Sequence, residues 1–586
     1  MTVPDPVDGT TGGVAARYLA AVAAQDLAVP PDHPAPQGKR YRDAPRWPLR
    51  WPGPGAPPLG ATGADRLSAL LLGYAPRRLE LITNTAFATM RGWPSTVPDL
   101  ARLLPAWFTT RRAVPSGGAF HPAELYVVWA GTADLPPGVY HHDAAHHTLE
   151  LLRPGDPAAA LDHLLGAAAS EPRHALVVAC RVVKNAGKYR AFGYQLAMMD
   201  SGVLLGQLAG SPLAGRVHLA FDPRVGETLL GLDGDLETVV AVVELPAARL
   251  GGAPVAAPGP AAAALSTAAP LSTITPLPTA EPLSTAEPLS TATPAPSGLD
   301  GDRHNLAEAD PAVTALHLAI RTGAGRAARV APVDTPAPPT DPAPAPTAGP
   351  PVTPPTPIGP PPVTPLSPPI GSPPVAPLSP PVALPSPAAP SRAATAHRAS
   401  ANDLAPGLTL GQLAGILAYA GGHRAAGGLA ELTGHPRHPA LWCLVDRVDG
   451  LAPGAYRYDR ERHLLWPSAA HDGAPDRLAD RLDAGMGRAG ASLFVVAEGD
   501  HPVDRLDPVD LRDLFLRTGV AVQLAALAAG TVGAATRPMG GFDAVAATAL
   551  LGLPAGAVPL LHLLVGTSRP RAGALAVAFT EGSADA

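Results

Sequence analysis

Cysteine is nearly absent: Cys180 and Cys443 are the two in 586 residues. Each ends or interrupts an apolar stretch, so neither a disulfide framework nor a metal-ligand spacing exists, and buried thiols are expected. Aromatic residues are scarce at 4%, and charged residues reach only 16%, so cores here must be built from Ala, Leu and Val. The net charge of −6 comes without any basic run, which argues against nucleic acid or another polyanion as partner. The opening MTVPDPVDGTTGG lacks the basic and apolar regions of a signal peptide. No apolar run reaches membrane-spanning length without Gly, Pro or charge. A soluble cytoplasmic protein without membrane contact is the expectation.

Proline, by contrast, is abundant at 75 residues and unevenly placed. Residues 251–300 repeat a PLSTAEP unit, and residues 329–399 contain PPVTPPTPIGPPPVTPLSPPIGSPP. Proline fixes φ and removes a backbone donor, so both stretches read as disordered or polyproline-like linkers. Between them, 301–328 reads as a helical segment that could begin the second domain, with Pro311 in a first turn and Gly323 as a stop. The remaining divisions are an N-terminal extension at 1–60, a first domain at 61–250 and a second at 400–575. In the first domain, helices at 64–75, 157–169 and 194–210 alternate with strands at 123–130, 174–182 and 238–246 and a hairpin at 138–152. That is an α+β pattern with a mostly antiparallel sheet flanked by helices.

Two stretches carry chemistry. RRAVPSGGAFHPAELYVVW, residues 111–129, joins a small-residue turn to an apolar strand. A Ser-Gly-Gly turn lets backbone N–H groups approach a flat or anionic ligand, because no side chain blocks them. Further on, NAGKYRAFGYQ offers Lys188 and Tyr189 side by side after an apolar run. Both side chains transfer protons when their surroundings shift them.

With Gly138-Val139-Tyr140-His141-His142-Asp143 between them, these motifs resemble the SagB/ThcOx-type azoline dehydrogenases of the nitroreductase superfamily, His142 standing where that family often has Tyr. The resemblance covers roughly residues 80–247. It implies a nitroreductase-like fold, FMN as cofactor, and oxidation of thiazoline or oxazoline rings in an azoline-containing precursor peptide, after a cyclodehydratase has formed them. It implies that Pro115, Ser116, Gly117 and Gly118 lie against the flavin, that Arg111 or Arg112 offers it positive charge, and that Lys188 and Tyr189 are catalytic. Glu124 follows the family pattern and reads equally as structural. The alternatives are an NAD(P)H-dependent nitroreductase or flavin reductase, and a non-catalytic peptide-binding scaffold.

The second domain is a faint copy of the first. His438-Pro439 falls on His121-Pro122, Gly454-Ala455-Tyr456 on Gly138-Val139-Tyr140, and LFLRTGVAVQLAALAAG on QLAMMDSGVLLGQLAG. Thr433-Gly434-His435 replaces Ser116-Gly117-Gly118, and no Lys-Tyr pair follows the strand SLFVVAEGD. The expectation is two tandem copies forming an internal pseudo-dimer, the second degenerate, with Arg537 reaching across toward the flavin. The histidine-rich HHDAAHH at 141–147 reads as a hairpin tip rather than a metal site. The Trp47 and Trp51 region either covers a peptide-binding surface or packs.

Overall fold

The computed structural model describes residues 12–24, 38–50, 62–81, 108–112, 114–166, 173–250, 293–327, 380–387, 404–423, 425–468, 489–499, 502–568 and 576–578. Trp51 and most of both expected linkers fall outside them.

Short runs of Val, Leu and Ala form two antiparallel sheets. The first has seven strands, in the order Arg46–Pro48, Thr148–Pro154, Gly138–Asp143, Ala123–Trp129, Arg173–Arg181, Glu237–Pro246 and Val217–His218. Strands Ala123–Trp129, Arg173–Arg181 and Glu237–Pro246 are largely apolar and buried along almost their whole length, as a sheet covered on both faces requires. The second sheet repeats the order: Val382–Ala383, Leu464–Pro467, Gly454–Asp459, Ala440–Val445, Ala491–Ala497, Val558–Ser568 and Leu404–Ala405, with Ala535–Met539 also pairing Val558–Ser568. His147 and His463, each just before the return strand of its hairpin, share a positive φ of 51° and 56°. The fold is the α+β, largely antiparallel arrangement that the periodicity predicts.

The halves meet through helices Phe192–Ala209 and Pro508–Thr531. A Cβ on Gly202 would stand 1.9 Å from the Leu516 carbonyl oxygen, and one on Gly519 would stand 1.9 Å from that of Met199. The reciprocity puts Gly202 and Gly519 at equivalent positions of a near-twofold crossing. Gln523 Nε2 donates to Gln207 Oε1 at 2.7 Å across the same seam. Pro508–Thr531 is long and apolar enough to cross a membrane, but it is almost wholly buried here as a core helix. A continuous apolar core, with Leu204, Leu205, Phe515 and Val520 at its centre, runs through both halves.

Other segments knit the halves together. Helix Gly12–Ala24 lodges beside the central pair, where Tyr18 Oη donates to the Ala191 carbonyl at 3.0 Å and its ring meets Phe515 edge-on at 6.5 Å. Strand Ala576–Ala578, late in the chain, pairs with Pro76–Leu81 of the first half, which pairs in turn with Phe108–Arg112. Within the stretch expected as an extension, Arg46–Pro48 adds the edge strand of the first sheet.

Helices Asp300–Ala307 and Pro311–Ala327 occupy the expected helical segment. Pro311 opens the second helix as expected, but Gly323 does not end it; a glycine inside a helix costs only about 1 kcal/mol. Their polar contacts run to the first half: Asp302 to Arg181, Asn305 to the Val183 carbonyl, and His317 to the Gly234 carbonyl. Parts of the proline-rich stretches are ordered too, since Ser297 pairs with Arg40 and Val382–Ala383 extends the second sheet.

Because backbone carbonyls block any side chain at the crossing, Gly519→Ala is expected to cost about 2–3 kcal/mol or more through forced separation of the helices. Thermal unfolding checks this, and Gly202→Ala is expected to behave alike.

Candidate active site

The turn before strand Ala123–Trp129 is held unusually tightly. A Cβ on Gly117 would lie 2.3 Å from Leu196 Cδ2, so the turn presses closely on helix Phe192–Ala209 and any side chain there would displace Leu196. Gly118 has φ 63°, and beyond it Ala119 at 60° and His121 at 49° also occupy the left-handed region, which is strained for residues with side chains. The Ser116 hydroxyl donates to Asp200 Oδ2 at 2.6 Å and accepts from the His121 N–H at 2.8 Å. The Gly117 N–H donates to the same carboxylate, at 3.1 and 3.2 Å from its two oxygens.

Lys188 and Tyr189 close the short helix Ala186–Tyr189, at the elbow between strand Arg173–Arg181 and helix Phe192–Ala209. Arg190 follows at φ 50° and ψ −134°, another strained position. The elbow returns to the turn: a Cβ on Gly118 would stand 3.0 Å from Tyr189 Oη and 3.4 Å from Lys188 Nζ. The Ser-Gly-Gly turn and the Lys-Tyr pair, some seventy residues apart in sequence, thus adjoin.

Lys188 Nζ lies 4.9 Å from the Tyr189 ring centre and 5.8 Å from that of Phe120. Phe120 and Phe192 meet Tyr189 edge-on at 6.2 and 6.4 Å. The second half reaches this point as well, since a Cβ on Gly540 would be 2.9 Å from Phe192 Cζ. Arg537, on the strand just before Gly540, pairs opposite Leu564.

The other expected residues are placed as follows. Pro115 is half-buried at the start of the turn. Arg112 lies behind the turn, its guanidinium 4.6 Å over the Tyr74 ring, and that ring meets His121 edge-on. Arg111 pairs opposite Arg78, and its side chain falls outside the described residues. Trp47 packs edge-on against Tyr140 at 6.0 Å. The histidines of the hairpin are tied locally: His141 to Glu150 at 2.8 Å and Glu124 at 3.3 Å, His146 to Asp143 at 2.5 Å, and His147 to Ser68 at 3.0 Å.

Below the turn lies a buried charge network that the motifs do not reveal. Arg181 bonds Asp302 at 2.6 Å and Glu124 at 3.3 Å. Lys184 Nζ donates to the His121 carbonyl at 3.0 Å and stands 3.9 Å from Glu124. Burial opposes ionisation of Glu124, but the His141 hydrogen bond, Lys184 and Arg181 outweigh it and hold the carboxyl well below its usual range. Burial, aided by the Arg181 charge, brings Lys184 down to about 7. Burial pushes Asp200 up to about 7, against the hydrogen bonds from Ser116 and Gly117. Asn185, also buried, faces that carboxylate without closing a well-formed bond from either amide atom. Burial lifts both thiols, Cys180 and Cys443, to about 12, consistent with inert core residues.

These residues suit a flavin in kind: a turn of bare backbone, aromatic rings beside it, and a cationic side chain at the same point.

No protein-family model matches the chain. A provisionally named nitroreductase from Anabaena variabilis superposes with a TM-score of 0.61 at 16% identity, covering 95% of this chain and 100% of its own. The chain has the nitroreductase fold. A stretch of 101 residues is 35% identical to the trifolitoxin-processing protein TfxB of Rhizobium leguminosarum bv. trifolii. That stretch is 16% of this chain and spans about a quarter, 26%, of the curated relative's length. The E. coli microcin synthetase McbBCD complex with truncated pro-MccB17 bound aligns over 28% of this chain and 66% of its own, at 16% identity and a TM-score of 0.24. The fold and the trifolitoxin-processing relative both fit the resemblance to the SagB-type dehydrogenases.

Arg190 carries an exposed side chain on a backbone shape that favours glycine. Arg190→Gly is expected to stabilise the protein by about 1 kcal/mol, seen as a higher thermal midpoint.

Proposed function

We propose that the chain is an FMN-dependent dehydrogenase that oxidises thiazoline or oxazoline rings to thiazoles or oxazoles in a ribosomally made peptide, acting after a cyclodehydratase. The observation that carries this reading is the meeting of the Ser116-Gly117-Gly118 turn with Lys188 and Tyr189. The nitroreductase fold supports an oxidoreductase, and the trifolitoxin-processing relative supports peptide maturation as its setting.

Aromatising an azoline removes one proton and one hydride. The ring α-hydrogen, acidified by the neighbouring carbonyl and imine, leaves as the proton. Lys188 takes it as general base, its Nζ lying over the Phe120 and Tyr189 rings at the turn. Tyr189 orients that amine or relays the proton onward. FMN, when bound, would supply the acceptor for the β-hydrogen, with oxygen as the final oxidant. Pro115, Ser116, Gly117 and Gly118 would hold the flavin, with Arg111 or Arg112 supplying positive charge. Arg537, from the second half, is a further candidate for contact with the flavin.

In this reading 61–250 is the catalytic domain and 400–575 its degenerate partner in an internal pseudo-dimer, in the cytoplasm. The helix crossing and the approach of Gly540 to Phe192 support that arrangement. A nitroreductase that draws on NAD(P)H has no use for a base such as Lys188, which favours the azoline enzyme over that alternative.

Visible absorption and flavin release test the reading. About one FMN per chain is expected, since the chain holds a single Ser-Gly-Gly turn of this kind. Lys188→Ala is expected to keep its FMN while azoline oxidation falls by about 10²- to 10⁴-fold. Little NADPH should be consumed. A protein that takes no FMN, even when it is supplied, overturns the proposal in favour of a scaffold.

A further inference from the structure

The reciprocal crossing of Gly202 and Gly519 sets the register between the two central helices, and in that register Asp200 corresponds to Arg517. Both are buried, at 6% and 5% exposure, and both bond the segment that leads into a central strand of their own sheet, Ala123–Trp129 or Ala440–Val445. Their polarity is opposite. Asp200 accepts from the Ser116 hydroxyl and the Gly117 N–H. Arg517 donates to the Leu432 carbonyl. The two segments differ accordingly. In the second half, where no carboxylate draws them away, the Thr433 hydroxyl bonds the Leu429 carbonyl at 2.8 Å and the Gly434 N–H bonds the Ala430 carbonyl at 2.8 Å, so the chain winds as helix Gly428–Thr433. In the first half the same two donors point at Asp200: residues 114–116, equivalent to the last three of that helix, are not helical, and a short 3-10 turn, Gly117–Ala119, follows them with Gly118 and Ala119 at positive φ.

We propose that Asp200 is a positioning residue for flavin binding: by taking up the Ser116 and Gly117 donors, it fixes the entry to the turn and holds Gly118 against Lys188 and Tyr189. Lys184 secures the far end of the same segment through the His121 carbonyl. The functional consequence rests on the FMN reading above; the clamp itself does not. The titratable groups that face the Asp200 carboxylate are Lys184 after strand Arg173–Arg181, Cys180 on that strand, and Tyr74 beyond helix Gly63–Leu71. An arginine at this position, as the second half has, could not accept the two donors at all.

The test uses the full chain above pH 7, where Asp200 is ionised, with Asp200→Leu, Asp200→Asn and Ser116→Ala. Amide hydrogen exchange at Gly117, read without flavin, is expected to quicken by about tenfold or more in Asp200→Leu, and by less in Asp200→Asn, which keeps one acceptor oxygen. The FMN dissociation constant is expected to rise in the same order. The thermal midpoint is expected to hold or rise in Asp200→Asn, because a carboxyl raised to about 7 costs the fold stability as pH climbs through that value, and Asn removes the charge. A role in stability alone would lower the midpoint and leave the FMN affinity of folded protein unchanged. If Asp200→Leu fails to fold, Asp200→Asn and Ser116→Ala carry the comparison. Wild-type exchange at Gly117 in all variants overturns the clamp. Faster exchange with unchanged FMN affinity overturns its role in flavin binding. Faster exchange in a protein whose wild type takes no FMN sustains the clamp and overturns the flavin reading.

Discussion

Two helices cross with no side chain between their backbones, and most of the molecule is arranged around that contact. Gly202 and Gly519 let the axes approach until each presses on a carbonyl of the other. Such closeness leaves no room for slippage, so the register between the halves is fixed to the residue. The helix that carries Gly202 begins at Phe192, just after Lys188 and Tyr189, and carries Asp200 within a turn of the crossing. One helix thereby ties the elbow, the turn and the interface together, and a strand end from the second half arrives beside Phe192 as a result.

The strands and helices were largely legible because their periods are strong and uninterrupted: 194–210 was expected where Phe192–Ala209 is found, and 238–246 where Glu237–Pro246 is found. Turn and pair were legible as motifs, though nothing in their spacing told that they touch. Asp200, Lys184 and Asp302 were not legible as partners, because each finds its counter-group through tertiary folding rather than at a fixed offset. One signal was available. A lone carboxylate inside QLAMMDSGVLLGQLAG is a charge in an otherwise apolar helix, and buried charges persist only with partners. Lys39, in the supposed extension, was equally silent; it ends up buried against Glu237, which outweighs the cost of burial and keeps it charged.

A chain with so little charge spends a notable share of it out of water. Glu124, His141, Glu150, Arg181, Lys184 and Asp302 form one connected group under the turn, bringing together four strands, the elbow and helix Asp300–Ala307. Such a group contributes little net stability, since desolvation offsets attraction, but losing one member leaves its partners stranded at a cost of about 3–5 kcal/mol. It therefore acts as a device for uniqueness: the elements can assemble in one way only, and the strained backbone above them is held in place.

Strand Ala576–Ala578 closes the sheet that begins with Pro76–Leu81. On the ribosome, that closing strand emerges roughly five hundred residues after its partner, at a synthesis rate of about 5–20 residues per second. For tens of seconds the first half therefore presents an open strand edge, for most of that time with Ser116, Lys188 and Tyr189 already made. The long proline-rich stretches are translated during this interval. With so many prolines they are poor in backbone donors and ill-suited to pair along the exposed edge, so the place stays vacant for the strand that belongs there.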